Sequence, residues 1–166
     1  TTLTAALIRS GATYFSDEIA LLEEGTLAVR PVPLALTIKE GSIEPLRELY
    51  PEIDTLAAHL REDYVRVRYL PPPPASLPAD DTPQPVRWIV FPRYTQGAET
   101  ELRPLTRPAA LRRLLDESFI PMERLDRDKV ESLVQWMRTV ECFELPFSSL
   151  DKAVAIVREL MVGRGS

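Results

Sequence analysis

The stretch Thr1–Leu22, TTLTAALIRSGATYFSDEIALL, decides how the rest of the chain is read. Leu3, Ala6 and Leu7 fall at helical spacing, so positions 2–10 read as a helix body with Gly11 as its stop. Ala12–Leu22 then reads as a strand, with Tyr14, Phe15, Ile19, Leu21 and Leu22 supplying apolar bulk. Two adjacent acids, Asp17 and Glu18, interrupt that run. A carboxylate among apolar strand residues is costly unless something neutralises it. Either a cationic partner belongs here, or the pair marks a strand end whose carboxylates face solvent on alternate sides.

Outward from this stretch, Glu24-Gly25 signals a turn, and Leu27–Leu36 reads as a returning strand interrupted by Pro31 and Pro33, which place it at an edge. Ser42 is the expected cap of a helix over 43–50. Pro51 ends that helix, and 52–61 reads as a further helical turn or two carrying His59. Tyr64–Leu70 alternates as a strand. The segment 71–85, PPPPASLPADDTPQP, reads as an exposed Pro-rich connection between strands, with polyproline recognition as the other use of such a run. Val86–Tyr94 reads as a buried strand and Glu101–Leu105 as another. Thr106 caps a helix with Pro108 in its first turn, running to about Glu117. An amphipathic helix is expected over 126–138, with Val130, Leu133, Val134 and Met137 on one face. Val140–Leu145 reads as a strand, Leu150–Met161 as a last helix, and 163–166 as a frayed tail. The sum is a single α/β domain over 1–166, a mixed β-sheet with flanking helices.

Composition narrows the function classes. The chain has 166 residues, 45% of them hydrophobic, and a net charge of −5. That suits one domain with a real core and argues against a general nucleic-acid-binding surface. Lysine occurs only at 39, 129 and 152; the arginine-rich balance fits phosphate or carboxylate partners and equally a genome-wide bias. One cysteine, Cys142, allows no internal disulfide and no cysteine zinc set, and one histidine, His59, makes neither a metal site nor a triad. No apolar run is long enough to span a bilayer and no secretory pattern is present, so a cytoplasmic protein without membrane contact is expected.

The order helix, glycine turn, YFSDE, hairpin, LTIKEGS reads as the continuation of a P-loop, G-x-x-x-x-G-K-[ST], which opens a helix. Thr1-Thr2-Leu3 reads as the residues just after its lysine, which places the P-loop strand, glycine loop and lysine ahead of residue 1. TTLTAALIRSGATYFSDEIALL, RPVPLALTIKEGS, WIVFPRYTQGAETELRPLT and FELPFSSLDKAVAIVREL together resemble the HPr kinase-related proteins, which share a nucleotide-binding fold with HPr kinase/phosphorylase and phosphoenolpyruvate carboxykinase. The resemblance implies an HPr kinase C-terminal domain-like P-loop fold and an ATP-dependent kinase using Mg2+. It implies that Thr1 and Asp17 hold the metal ion and that Asp17 and Glu18 share the roles of metal ligand and catalytic base. Ser16-Asp17-Glu18 stands where HPr kinases carry adjacent aspartates, so the division of those roles stays open. Thr1, Thr2, Lys39 and Arg93 are the implied nucleotide-binding positions, with Arg30 a weaker phosphate contact. Lys39 and Arg93 read equally well as a solvated lysine and a surface ion-pair arginine.

Related proteins often belong to peptide-modification systems with a PqqD-like peptide chaperone, which implies a protein or peptide acceptor and such a chaperone as partner. The oligomeric state stays open. A non-catalytic nucleotide-sensing or peptide-binding module is the alternative. A carboxykinase-like enzyme ranks last, since that enzyme's additional metal-binding lysine and histidine have no clear counterparts here.

Overall fold

A computed structural model describes residues 1–117 and 126–163. Helix α1, Thr2–Arg9, buries Leu3, Ala5, Ala6 and Ile8. It stops where the Ser10 hydroxyl donates to the Leu7 carbonyl (2.7 Å) and Gly11 takes φ +102°, a left-handed conformation that glycine adopts without steric cost.

The expected strand over 12–22 is reduced to β1, Leu21–Leu22, which pairs with β2, Val29–Arg30, in a two-stranded antiparallel ribbon. Ahead of it the chain makes isolated backbone bonds to two sides, Tyr14 N–H to the Ser76 carbonyl (2.7 Å) and Val32 N–H to the Phe15 carbonyl (2.8 Å). It then bends at Asp17-Glu18. The bend has a cause: the Asp17 carboxylate, not a backbone carbonyl, accepts the Thr37 N–H, so no ladder propagates there. Pro31 and Pro33 end β2, and the returning strand resumes only as β3, Leu36–Lys39.

Helix α2, Glu40–Leu46, follows β3 without a loop, so Lys39 occupies the cap position and Ser42 lies inside the helix instead of capping it. A 3-10 turn covers Pro51–Thr55. The expected helix then gives way to strand β4, Ala58–Leu60, so His59 is a strand residue. Strand β5, Arg66–Leu70, a 3-10 turn at Pro74–Ser76, strand β6, Trp88–Tyr94, and the short β7, Arg103–Pro104, follow. The rest is α3, Arg107–Glu117; α4, Arg127–Trp136, capped by the Asp126 carboxylate; β8, Glu141–Phe147; and α5, Leu150–Gly163. The tail expected at 164–166 lies outside the described residues.

The result is a mixed α/β arrangement, but the one mixed sheet of the sequence reading is three small sheets. Strands β3, β5 and β4 lie side by side in that order, all antiparallel. In the third sheet β8 is central, parallel to β6 and antiparallel to β7. Helices α3 and α4 lie in the crossover that a parallel pair requires. Being at an edge, β6 is only half-buried, against expectation, whereas central β8 buries Cys142, Phe143, Leu145 and Phe147. The Pro-rich segment forms no ladder beyond a single bridge, Val29 to Gln84.

Helix α1 joins the layers. Ala5 and Ile8 pack with Tyr14, Leu36, Ile38, Leu46, Tyr50, Ile53 and Leu70. Leu3 and Leu7 pack with Leu145, Phe147, Ala153 and Val157. A third cluster, with Ala110, Met137 and Cys142 at its centre, fixes α3 against the sheet. The amphipathic reading of α4 is only half met, since Val130 and Val134 face solvent and Met137 alone of the four is buried.

Two core tyrosines give this packing a measurable signature. The Tyr50 hydroxyl donates to the Ala5 carbonyl and the Tyr14 hydroxyl to the Leu34 carbonyl, each at 2.9 Å. Burial, reinforced by the charges of Asp17 and Glu18, pushes Tyr14 up to about 12, and burial pushes Tyr50 to about 12 against the opposing pull of Arg9. Their ordinary value is 10.0. Between those limits the folded chain holds protons that the unfolded chain has lost, so stability falls as pH rises through this window. Ultraviolet titration should show Tyr14 and Tyr50 ionising together with unfolding, and Tyr14→Phe or Tyr50→Phe should reduce the alkaline slope of stability. Ionisation of both in a chain that stays folded would contradict the burial argument.

Candidate functional site

The carboxylate of Asp17 is the organising group. Its side chain is 3% exposed, and it accepts the Thr1 hydroxyl at 3.0 Å and the Thr37 N–H at 3.1 Å, both on Oδ2. Hydrogen bonds from two elements thus satisfy a carboxylate whose burial alone would be costly, and the acid sits at the start of α1, whose dipole favours it. The site is tied a second time where the Thr2 hydroxyl donates to the Ser42 hydroxyl at 2.7 Å. Asp17 therefore spans the start of α1 and strand β3.

Glu18 goes the other way. Its side chain is 55% exposed and its Oε1 lies 3.8 Å from Arg61 Nη1. The adjacent acids are thus divided into one buried and one at the surface, a difference the sequence did not resolve. Lys39 is exposed two residues along β3 from Thr37. Thr1, Thr2, Asp17 and Lys39 all belong to the α1–β3–α2 junction, with Glu18 at its rim. Arg93 is exposed on β6, in register with Pro146 of the third sheet, whose neighbours Leu145 and Phe147 pack with Leu3 of α1. Arg30 is committed elsewhere, 2.7 Å from Glu23 and 3.5 Å from Asp81.

Arg61 is the residue that sequence reasoning missed. The charge pattern of LREDYVRVR between two strands was its available signal, and the helical reading of 52–61 hid it. His59, also placed on a helix, instead packs its ring on Tyr69 with centroids 5.4 Å apart. Cys142 is buried, and that burial pushes its thiol up, away from reactive thiolate.

Two side-chain oxygens, Thr1 Oγ1 and Asp17 Oδ2, stand 3.0 Å apart. Neighbouring ligands of an octahedral Mg2+ at about 2.0–2.1 Å have about this separation. Among the described residues no group of three or more His, Cys, Asp or Glu could hold a metal ion. An ion held by this pair would have to take its other positions from waters or phosphate oxygens, as Mg2+ can. Shallow hollows of about 440 Å³ along α4 and about 480 Å³ beside the end of α5 lie away from this junction. No helix of the described residues is long and apolar enough to cross a membrane. Comparison with protein-family models, curated proteins and solved structures gives no match.

The Asp17 contacts carry a stability test. Asp17→Ala leaves the Thr37 N–H, on a fully buried stretch of strand, without its acceptor, which costs about 1–3 kcal/mol. Asp17→Asn keeps one acceptor oxygen and should cost less. Urea unfolding measures both; an alanine variant as stable as the parent would show that the carboxylate does not join α1 to β3.

Proposed function

We propose that the α1–β3 junction is part of an ATP-dependent phosphotransferase site of the HPr kinase type, acting on a protein or peptide acceptor. The observation that supports it best is the buried Asp17 carboxylate held 3.0 Å from the Thr1 hydroxyl at the start of α1. The reading takes the junction as one part of a P-loop fold and requires a phosphate-cradling loop directly ahead of Thr1.

In this reading Thr1 Oγ1 and Asp17 would hold Mg2+, and the bound nucleotide would supply the transferable phosphoryl group, whose charge the ion would neutralise. The chain's own groups do the rest. The Thr37 N–H keeps Asp17 aimed at Thr1, so the carboxylate needs no reorganisation to act. In this reading Asp17 or Glu18, the latter at the rim, takes the proton of an acceptor hydroxyl. Lys39 adds positive charge from the end of β3. Arg93, exposed on β6, is the second cation that this reading assigns to the phosphates or the acceptor.

The test uses the protein extended by its natural residues ahead of Thr1, with radiolabelled transfer from ATP to candidate peptides and carrier proteins. Asp17→Asn should lower transfer by about a hundredfold or more and leave the chain folded, and Glu18→Gln should be as severe if Glu18 is the base. Residues 1–166 alone should bind Mg-ATP weakly, because a helix N-terminus by itself is a modest anion site. Full transfer by Asp17→Asn, or micromolar Mg-ATP affinity of residues 1–166 in calorimetry, would overturn the assignment. Nucleotide binding without transfer would instead favour a nucleotide-sensing module.

A further inference from the structure

One end of the β3-β5-β4 sheet gathers a cation from each strand. Lys39 ends β3, Arg66 begins β5, and Arg61 follows the last residue of β4. The register, with Lys39 opposite Val67 and Leu60 opposite Arg66, puts Lys39 and Arg61 on one face of this sheet end and Arg66 on the other. The Thr1, Thr2 and Asp17 side chains reach the same part of the fold through Thr37 and Ser42.

The two arginines are loosely held. Arg66 Nε is 4.0 Å from Glu40, and Arg61 lies 3.8 Å from Glu18 and 3.2 Å from Asp63, all with exposed side chains. Exposed pairs of this kind contribute about 0–1 kcal/mol. A ligand offering several anionic oxygens to a planar guanidinium displaces such a partner readily.

The backbone of Arg61, by contrast, is fixed. Its N–H donates to the Val65 carbonyl and its carbonyl accepts the Tyr64 N–H, each at 3.0 Å. Closing that turn puts Tyr64 at φ 61° with 85% of its surface in water. A left-handed tyrosine is strained, and no buried ring offsets the strain. What the turn achieves is to direct Arg61 back over the strand ends to Glu18.

We propose that this end of the sheet is a phosphate-binding site in which Arg61 exchanges Glu18 for the phosphate of the ligand, with Lys39 on the same face. The chemistry of the site does not depend on the phosphotransferase reading; the identity of the ligand, nucleotide or phosphorylated acceptor, rests on it. The test is binding of inorganic phosphate, metal-free ATP and a phosphoserine peptide to the full-length protein, each followed by calorimetry and by the Arg61 side-chain NMR signal. Arg61→Ala should weaken phosphate binding about tenfold or more, and Glu18→Gln should tighten it severalfold by removing the competing carboxylate. In the double variant the gain from Glu18→Gln should disappear, which marks the two side chains as coupled. Circular dichroism and thermal unfolding should be nearly unchanged in all three, since the pair is exposed.

The stronger response among ATP and the phosphopeptide identifies the source of the phosphate. Unchanged affinity in Arg61→Ala, weaker binding in Glu18→Gln, or no saturable binding of any probe at millimolar concentration would overturn the proposal. Arg61-dependent phosphate binding without ATP binding would uphold it while removing the nucleotide reading.

Discussion

The packing of this fold depends on a helix that is buried on two sides. Helix α1 turns Ala5 and Ile8 toward one core and Leu3 and Leu7 toward another, and the alanines let its backbone approach its neighbours closely. Removing a large apolar side chain from water contributes about 1.5–3 kcal/mol, and here that term acts in two directions along one short element. The β3 sheet and the β6–β8 sheet share no strand, so α1 is a principal link between them. Its first residues are thereby fixed relative to β3, which is why Thr1 can meet a carboxylate that reaches it from the segment beyond Gly11.

That carboxylate shows how two like residues acquire unlike roles. Asp17 and Glu18 are neighbours on a bend, so their side chains leave in different directions. The shorter one turns inward and is satisfied by fixed donors, one of them a backbone amide. The longer one turns out and meets a guanidinium across solvent. An inward group bonded to the backbone keeps its geometry with or without a ligand, while an outward group in a loose ion pair can change partners. Division of labour at this junction follows from side-chain length and the direction of the bend.

Much of the architecture was legible because it rests on local signals. Apolar spacing marked α1 and α5, Pro108 marked the start of α3, and alternation marked β5. The misplaced elements share one cause, since tertiary hydrogen bonding overrode propensity. The apolar run 12–22 looked like a strand, but the Asp17 side chain takes an edge donor of β3 and no ladder forms. The segment 52–61 carried helix-compatible residues, yet β5 offers Ala58–Leu60 a register to pair with. Ser42 looked like a cap because nothing local reveals that β3 runs directly into α2. Within the site, the association of Thr1 with Asp17 was readable from motif order. Arg61 was not, because its distance from Glu18 along the chain is bridged only by a hairpin that periodicity did not disclose.

The parallel pairing of β6 with β8 sets Trp88 opposite Glu141, with β7, α3 and α4 strung between them. Joining those strands closes a long loop, whose entropy cost grows with the logarithm of its length, whereas the β4–β5 hairpin closes over a few residues. The two larger sheets therefore differ in contact order even though they hold the same number of strands. A nearby pairing costs little to close, but the distant one must be held by what it buries: the second face of α1, α5, and the Met137 cluster beneath α3. In this respect the molecule is asymmetric in time as well as in space. One sheet contains a hairpin between neighbours along the chain, whereas every pairing of the other joins segments that must first find each other.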